Sequence, residues 1–277
     1  MIDSFVLVAP LFLLGVMALL GFVGCVFHPG VASPSTPQIV RFTAGDGRVD
    51  LTWDTVTEAI HYSVKRGDIT GIHAPIGDVA TTMFSDTTVT NGKSYFYVVT
   101  AFLPGSEPGS EFETSKSNEV EALPLGSFVR SPVTPGTANA AGRAGLFGME
   151  VLVGPNDIKI YTLGRAFSLG LTTAHDVKVF DATTQMEIGH ASVDAAAVAT
   201  GDFKYSKLSS PITLGAGRRY FVLSEEFDGG DRFFEQDTTV LTRPEATVQT
   251  AIESSGPGVF TPAGGLGHTY GPVSFQY

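Results

Sequence analysis

The chain has 277 residues, enough for about two domains at ~100–200 residues each, with a net charge of −11 and a pI of about 4.9. An acidic surface repels a phosphate backbone, and no run of Lys or Arg reverses the charge locally, so nucleic acid is excluded as an expected partner. Charged residues make up only 16% of the chain, whereas Gly (32), Pro (16) and Phe (20) are plentiful. Because this composition is typical of short strands joined by tight turns, we predict an all-β fold.

The N-terminal segment 4–27 contains no charged residue and is almost continuously apolar. As a helix it would be about 36 Å long, enough to cross a hydrocarbon core of ~30 Å. Asp3 stands where a secretory signal would carry Lys or Arg. We therefore predict a transmembrane helix or uncleaved signal anchor over 4–27, followed by a Pro/Gly/Ser linker over 28–36.

Two alternatives stay open for this segment. The residues before Cys25 resemble the lipid-attachment box of a bacterial lipoprotein, which makes Cys25 a candidate for lipid attachment. Cleavage near Ala32 is the second alternative. Because Cys25 is the single cysteine of the chain, an intrachain disulfide and a Cys-based zinc site are both excluded.

Alternating apolar residues predict strands over 37–124, which we take as the first domain. Val49, Leu51 and Trp53 alternate with polar residues, as in a half-buried strand. Two further strands are predicted from the apolar positions Ile60, Tyr62, Val64, Tyr95, Tyr97, Val99 and Ala101. Turn signals such as Asn91-Gly92 separate the strands, so we expect a small antiparallel sandwich.

The motifs of this domain resemble a fibronectin type III domain over residues 37–122. They are, in order, Leu51-Thr52-Trp53, Tyr62-Ser63-Val64-Lys65-Arg66, Phe84-Ser85-Asp86-Thr87, Asn91-Gly92-Lys93-Ser94-Tyr95 and Ser117-Asn118-Glu119-Val120. The resemblance implies that Trp53 packs between the sheets and that Tyr95 forms the tyrosine corner. The tripeptide Arg66-Gly67-Asp68 matches an integrin-binding sequence, but we interpret it as a turn after a strand that ends at Lys65.

Strand signals resume after a predicted linker over 125–136 and continue to the end of the chain. About eight to ten strands over 137–277 predict a jelly-roll-like β-sandwich. The region resembles an uncharacterised bacterial extracellular β-sandwich module for which sugar binding has been suggested. The segments that resemble it include Ile160-Tyr161-Thr162-Leu163-Gly164, His175-Asp176-Val177-Lys178-Val179, Pro211-Ile212-Thr213-Leu214-Gly215-Ala216-Gly217 and Tyr220-Phe221-Val222.

The stretch 225–234 is the part of the sequence that most resembles a ligand-binding site. Asp228 and Asp231 flank two glycines, which would let the loop aim both carboxylates at one calcium ion. Phe233 and Phe234 would present a ring to a sugar. The alternative is an ordinary hairpin loop, with at least one of the two rings in the core.

Catalytic motifs are lacking in the sequence. The six histidines have no metal-ligand spacing, and there is no Gly-x-Ser-x-Gly elbow. We therefore expect that the chain is not an enzyme and needs no cofactor other than a possible calcium ion. A pair of carboxylates can still meet in space, as in glycosidases, so a glycoside-active enzyme remains as an alternative.

These features together predict a membrane-anchored protein of the cell envelope or cell surface that acts in binding or adhesion. The terminal sandwich would contact a glycan or an envelope protein, and the first domain would be a spacer. A purely structural envelope protein that contacts only other proteins is the alternative. Because Arg41 and Arg48 give only a weak charge bias, the extracytoplasmic placement is implied by the resemblances alone.

Overall fold

The computed structural model describes residues 35–277, except for 132, 140–142, 167–172, 195–198, 200, 229–231 and 257. The predicted membrane segment 4–27 and Cys25 lie outside the described residues. Within the described ranges no residue is helical, and accordingly no helix there is long and apolar enough to cross a membrane. The prediction of an all-β fold is confirmed.

The first β-sandwich consists of two antiparallel sheets. Their strands are β1 (Ile39–Gly45), β2 (Arg48–Trp53), β3 (His61–Ile69), β4 (Ile72–Val79), β5 (Met83–Asp86), β6 (Tyr95–Pro104), β7 (Glu111–Glu113) and β8 (Val120–Ala122). One sheet has the order β1-β2-β5, and the other has the order β4-β3-β6-β7, with β8 also paired to β6.

Alternation along the strands places one side of each sheet in a shared core. Trp53 is buried there and meets the ring of Tyr62 edge-on at 5.6 Å between centroids. Tyr95 is buried as well, and its hydroxyl accepts a hydrogen bond of 2.9 Å from the amide of Thr90. The predicted core positions of these strands are confirmed except for Ile60, which precedes β3 and is exposed.

The tripeptide Arg66-Gly67-Asp68 lies inside a strand, not in the predicted turn. β3 continues to Ile69 through an irregularity in its pairing with β4, and the turn follows at Thr70 and Gly71. A Cβ at Gly67 would lie only 1.7 Å from the carbonyl oxygen of Ile72. Glycine is therefore needed here for close approach within the bulge.

The second β-sandwich has a large and a small antiparallel sheet. The strands are β9 (Gly145–Val153), β10 (Ile158–Ala166), β11 (His175–Asp181), β12 (Glu187–Val193), β13 (Phe203–Leu214), β14 (Arg219–Glu226), β15 (Thr238–Thr239), β16 (Ala246–Gly256), β17 (Val259–Ala263), β18 (His268–Thr269) and β19 (Val273–Gln276). The six-stranded sheet has the order β12-β11-β14-β9-β16-β17, the three-stranded sheet β13-β10-β19, and β15 pairs with β18. The predicted sandwich is confirmed, but its sheets differ from those of an eight-stranded jelly roll.

The segment predicted as the linker 125–136 packs into this second sandwich. Phe128 stacks on Phe275 with 4.6 Å between ring centroids, and Val129 lies beside it in the core. Ser127 forms a β-bridge with Gln276. The second sandwich therefore begins earlier in the chain than the sequence pattern indicated.

The short connection 123–126 is hydrogen-bonded to both sandwiches. The amide of Gly92 donates to the carbonyl of Pro124 at 2.8 Å, and the amide of Gly126 donates to the carbonyl of Tyr277 at 2.9 Å. Across the junction, Arg243 forms an ion pair with Asp46. The described residues thus place the two sandwiches in direct contact.

Candidate functional site

The outward face of the six-stranded sheet is apolar at its centre. Alternate residues of β11 and β14 point into the sandwich, so Phe180, Phe221 and Leu223 point away from it. They form a buried cluster with Ile252, and the edge strand β17 contributes Phe260 to the same face. The ring of Phe260 covers the cluster, at 4.8 Å from the Phe221 ring and 5.3 Å from the Phe180 ring.

An open groove of about 510 Å³ lies beside Phe260, and we call it the aromatic groove. Its volume falls within the ~300–1,000 Å³ that is usual for small-molecule sites. The side chains that give it its chemistry are Phe180, Phe227, Phe260, Lys178, Gln185 and Glu225. The groove thus combines aromatic surface with a few hydrogen-bonding groups.

Lys178 and Glu225 supply charge from neighbouring strands. Their ion pair measures 2.7 Å from Nζ to Oε2, and both side chains are partly open to solvent. Burial lowers the pKa of Lys178, but the Glu225 carboxylate more than offsets this and raises it above its usual range. Lys178 is therefore charged at neutral pH, and each side chain of the pair keeps hydrogen-bonding capacity for a ligand.

Phe227 stands at the rim of the groove and is 45% exposed. The buried ring of His175 lies 5.6 Å from it. His175 Nδ1 donates a hydrogen bond of 2.8 Å to the carbonyl oxygen of Glu225. This hydrogen bond fixes the backbone carbonyl two residues before Phe227 and so restricts where the Phe227 side chain can lie.

A buried ion pair fixes the same end of β14 from within the sandwich. Arg165, on the three-stranded sheet, donates from Nε and Nη2 to the two carboxylate oxygens of Glu226, each at 2.9 Å. Arg165 Nε also reaches Ser224 Oγ at 3.1 Å. Because both charges are fully buried, this geometry offsets a large desolvation cost and joins the two sheets behind the groove.

A smaller cavity of about 220 Å³ adjoins the aromatic groove, and we call it the Arg143 cavity. Arg143 donates from Nη1 to Glu235 at 2.7 Å and from Nη2 to Glu253 at 2.6 Å. Its guanidinium lies 4.7 Å over the ring of Phe147. Burial lowers the pKa of Arg143, but Glu235 and Glu253 raise it above its usual range, so the group stays charged.

The predicted loop 225–234 reaches the groove, but its predicted ring residues do not. Phe233 and Phe234 are only 1% and 5% exposed, and Phe233 stacks on Phe147 at 4.8 Å. These two rings therefore belong to the core, as the alternative in the sequence interpretation required, and neither presents a face to a sugar.

The calcium prediction stays a prediction. Asp228 is exposed, and Asp231 lies outside the described residues. In the part of the chain that the structure describes, no group of three or more His, Cys, Asp or Glu side chains has a metal-binding arrangement. The Asp228 and Asp231 pair is therefore not tested as a site.

Sequence reasoning missed Lys178, Phe180 and Phe260 as groove residues. One signal was present in the run from Tyr220 to Leu223, which is apolar at every position. A continuous apolar strand is buried on both faces. It therefore indicated that something covers the outer face of the sheet, although not which residues do so.

No protein-family model matches the chain. Two curated relatives are amylopullulanases, one from Thermoanaerobacter thermohydrosulfuricus, 35% identical over 96 residues, and one from Thermoanaerobacterium saccharolyticum, 37% identical over 87 residues. These matches cover 34% and 31% of this chain but only 6% and 7% of the relatives, so the chain spans less than a tenth of their length.

Among solved structures, a Fn3-like protein from Clostridium thermocellum is 28% identical, with a TM-score of 0.29, over 33% of this chain and 94% of that one. An α-L-rhamnosidase from Aspergillus terreus is 14% identical, with a TM-score of 0.32, over 83% of this chain and 28% of that one.

The first sandwich combines the features that its sequence motifs implied. Trp53 packs in the core between the two sheets, and Tyr95 bonds back to the Thr90 amide as in a tyrosine corner. The sheets group β1, β2 and β5 against β3, β4, β6 and β8. The recognition made from the motifs is confirmed: the first sandwich, residues 37–122, is a fibronectin type III-like β-sandwich.

Proposed function

We propose that this chain is a non-catalytic glycan-binding protein of the bacterial cell envelope, with its N-terminal segment in the membrane. The first sandwich is the spacer, and the second sandwich holds the glycan in the aromatic groove. The observation that carries the proposal is the arrangement of Phe180, Phe227 and Phe260 around the Lys178–Glu225 pair.

The chemistry of a sugar matches this lining. A pyranose ring has apolar C–H faces that pack on aromatic rings, and its hydroxyl groups both donate and accept hydrogen bonds. Phe227 offers an exposed ring, Lys178 offers donors, and Glu225 offers acceptors. A mostly apolar cleft with a few placed polar groups is the usual form of a small-molecule site.

The names of the curated relatives provide a first ligand to test, although the matched region is the Fn3-like part and not the groove. They are named amylopullulanases, and the matched segment makes up only 6–7% of each. A segment of that size is consistent with an accessory module beside a separate catalytic part. We therefore take a neutral glucan as the first ligand to test, with pullulan as the example.

Binding is tested with the full-length chain purified in detergent. Isothermal titration calorimetry against pullulan and a wider glycan panel, with and without calcium, should give saturable binding. Phe227→Ala should weaken it about tenfold, or about 1.4 kcal/mol, because Phe227 is the most exposed of the three groove phenylalanines.

Phe112→Ala is the matched control. Phe112 is 42% exposed but lies on β7 of the first sandwich, so its removal should leave affinity unchanged. No binding by any glycan of the panel, or equal binding by the Phe227→Ala and wild-type chains, would reject the proposal.

The membrane part of the proposal needs a separate measurement. An anchor, a lipidated Cys25 and a cleaved leader predict three different intact masses for the chain recovered from cell membranes. An unmodified, uncleaved mass in the membrane fraction is the result we expect. Recovery from the cytosol would contradict it.

Protein contact is a second candidate function, and an exposed apolar tip of the first sandwich favours it. Ile69 and Ile72 flank the β3–β4 turn, and both are well exposed. Exposed apolar pairs of this kind are common at protein contacts. Pull-downs from envelope extract with wild-type and Ile72→Ser chains would test this candidate independently of glycan binding.

A further inference from the structure

The turn between β11 and β12 contributes an unusual residue to the aromatic groove. Gln185 lies in this turn and lines the groove together with Phe180. Its backbone has a φ of 58°, in the left-handed region where glycine and asparagine are the usual residues. Of the non-glycine residues that the structure describes, only Gln185 and Glu58 have a positive φ. The groove is therefore lined by one of the two residues at which a side chain strains the backbone in this way.

The turn holds Gln185 in this conformation without using its side chain. The amide of Gln185 donates to the carbonyl of Asp181 at 2.8 Å, and the amide of Asp181 donates to the carbonyl of Met186 at 3.0 Å. The Asp181 carboxylate accepts from the amides of Thr183 and Thr184, each at 3.0 Å. A glycine at position 185 would make the same bonds without the steric cost that a Cβ brings in the left-handed region. The turn alone therefore gives no reason for a glutamine.

The side chain of Gln185 brings a free amide to the groove. Among the described residues this amide has no hydrogen-bond partner, and the side chain is exposed. Its Oε1 lies 3.8 Å from the position that a Cβ on Gly258 would take, and Gly258 lines the groove as well. The two N–H donors and the carbonyl acceptor of the amide are thus open to a ligand.

The chemistry of this amide is suited to a neutral ligand that carries hydroxyl groups. A primary amide donates and accepts at the same time, so it can pair with two neighbouring hydroxyl groups. An anionic ligand is disfavoured, because the carboxylates of Glu225, Glu187 and Asp176 all lie close enough to Lys178 to interact with its charge. Three carboxylates then face one ammonium group, on a chain of net charge −11.

We infer that Gln185 orients the ligand in the aromatic groove, with its amide bonded to two neighbouring hydroxyl groups of a neutral sugar unit. Backbone strain of this kind is concentrated at ligand-binding positions, where the side chain's role offsets its cost. This inference rests on the proposed function and adds the residue that selects a neutral, hydroxylated ligand.

The test measures stability and binding on the same variants of the full-length chain. Gln185→Gly removes the strain and the amide together. The unfolding temperature should therefore rise by about 1–4 °C, whereas the affinity for pullulan, measured by calorimetry, should fall about three- to tenfold. Gln185→Glu keeps the side-chain length and the strained backbone but loses both N–H donors. It should lower the affinity to a similar extent without the rise in unfolding temperature.

Glu58→Gly is the matched control. Glu58 is exposed, has a φ of 63° and lies in the first sandwich, away from the groove. Its replacement should raise the unfolding temperature by a comparable amount and leave the affinity for pullulan unchanged.

The outcomes separate this inference from the proposal beneath it. Wild-type affinity in Gln185→Gly, an equal loss of affinity in Glu58→Gly, or a lower unfolding temperature in Gln185→Gly would overturn the role of Gln185. If Phe227→Ala still weakens binding in those cases, the groove remains a glycan site. If neither pullulan nor any other glycan of the panel binds the wild-type chain, both are overturned.

Discussion

Arg165 and Glu226 form a doubly hydrogen-bonded ion pair that joins the two sheets of the second sandwich from inside. Each bond is 2.9 Å long, and neither side chain reaches solvent. Glu226 closes β14 directly before the rim residue Phe227. The pair therefore couples the packing of the core to the geometry of the groove.

Removal of one partner should be far more costly than removal of both. Glu226→Leu leaves the buried Arg165 charge without its counter-charge, with Ser224 as a remaining hydrogen-bond partner, and we expect it to lower the free energy of unfolding by ~3–5 kcal/mol. The double variant Arg165→Met/Glu226→Leu should lose much less, because no charge stays behind. Urea unfolding followed by far-UV circular dichroism measures the free energy of unfolding of both variants. A double variant no more stable than the single one would contradict this view of the pair.

Phe260→Ala should uncover the outer face of the six-stranded sheet. Because Phe260 is only half-buried, we expect a loss of about 1–3 kcal/mol, below the ~3–5 kcal/mol of a fully buried phenylalanine. Thermal unfolding gives the stability, and binding of a hydrophobic dye should rise in the native state. Leu266→Ala, at a strongly exposed position, is the control and should change neither value. Unchanged dye binding in Phe260→Ala would show that another group covers the cluster.

Gly148→Ala should destabilise the second sandwich although it adds a single methyl group. A Cβ at this position would lie 2.1 Å from the carbonyl oxygen of Val222, and backbone atoms of the neighbouring strand cannot move aside cheaply. We expect a loss at or above the upper end of the ~1–3 kcal/mol that overpacking usually costs. Gly256→Ala is the matched control, since nothing lies within 4 Å of its added Cβ. Equal stabilities of the two variants would be the contrary result.

Asp86 should make the first sandwich sensitive to acid. Burial would raise the pKa of this carboxyl, but hydrogen bonds from Thr88, Tyr97 and Arg66 outweigh it and hold the pKa below its usual range. A lowered native pKa stabilises the fold fully above the unfolded value of about 3.9, and this contribution is lost as pH falls through the native pKa.

The measurement compares wild type with Asp86→Asn by urea unfolding from about pH 7 to about pH 3. The free energy of unfolding of the wild type should exceed that of Asp86→Asn by a constant amount near neutral pH. This difference should shrink as the pH falls below about 4. Asp54→Asn, at an exposed aspartate, controls for the loss of one carboxylate. A difference in the free energy of unfolding that stays constant down to about pH 3 would refute the lowered pKa of Asp86.

The first sandwich was predictable from the sequence because its strands have one solvent-exposed face and one buried face. Val49, Leu51 and Trp53 alternate with polar residues, and all three are buried. Ile60 fails for a local reason: it lies before β3 begins, where alternation no longer decides which way a side chain points. The turn predicted at Arg66-Gly67-Asp68 fails because a glycine in a bulge looks like a glycine in a turn.

The groove was harder to predict because it depends on contacts between residues far apart in the chain. Phe180 on β11 and Phe260 on β17 are 80 residues apart in the sequence, yet their ring centroids are 5.3 Å apart in the fold. The sequence placed Phe233 and Phe234 in a loop where their rings could contact a sugar. In the fold, Phe233 packs between the rings of Phe147 and Tyr270. Strand periodicity gives the face of each residue but not what lies above that face.

The tied connection at 123–126 has a mechanical consequence. Backbone hydrogen bonds join Pro124 to Gly92 in the first sandwich and Gly126 to Tyr277 in the second. The connection between the sandwiches therefore has little freedom to act as a flexible hinge. A force applied to one sandwich would pass directly to the other, with the Asp46–Arg243 ion pair bearing part of it. The two sandwiches would therefore turn together and not independently about this connection.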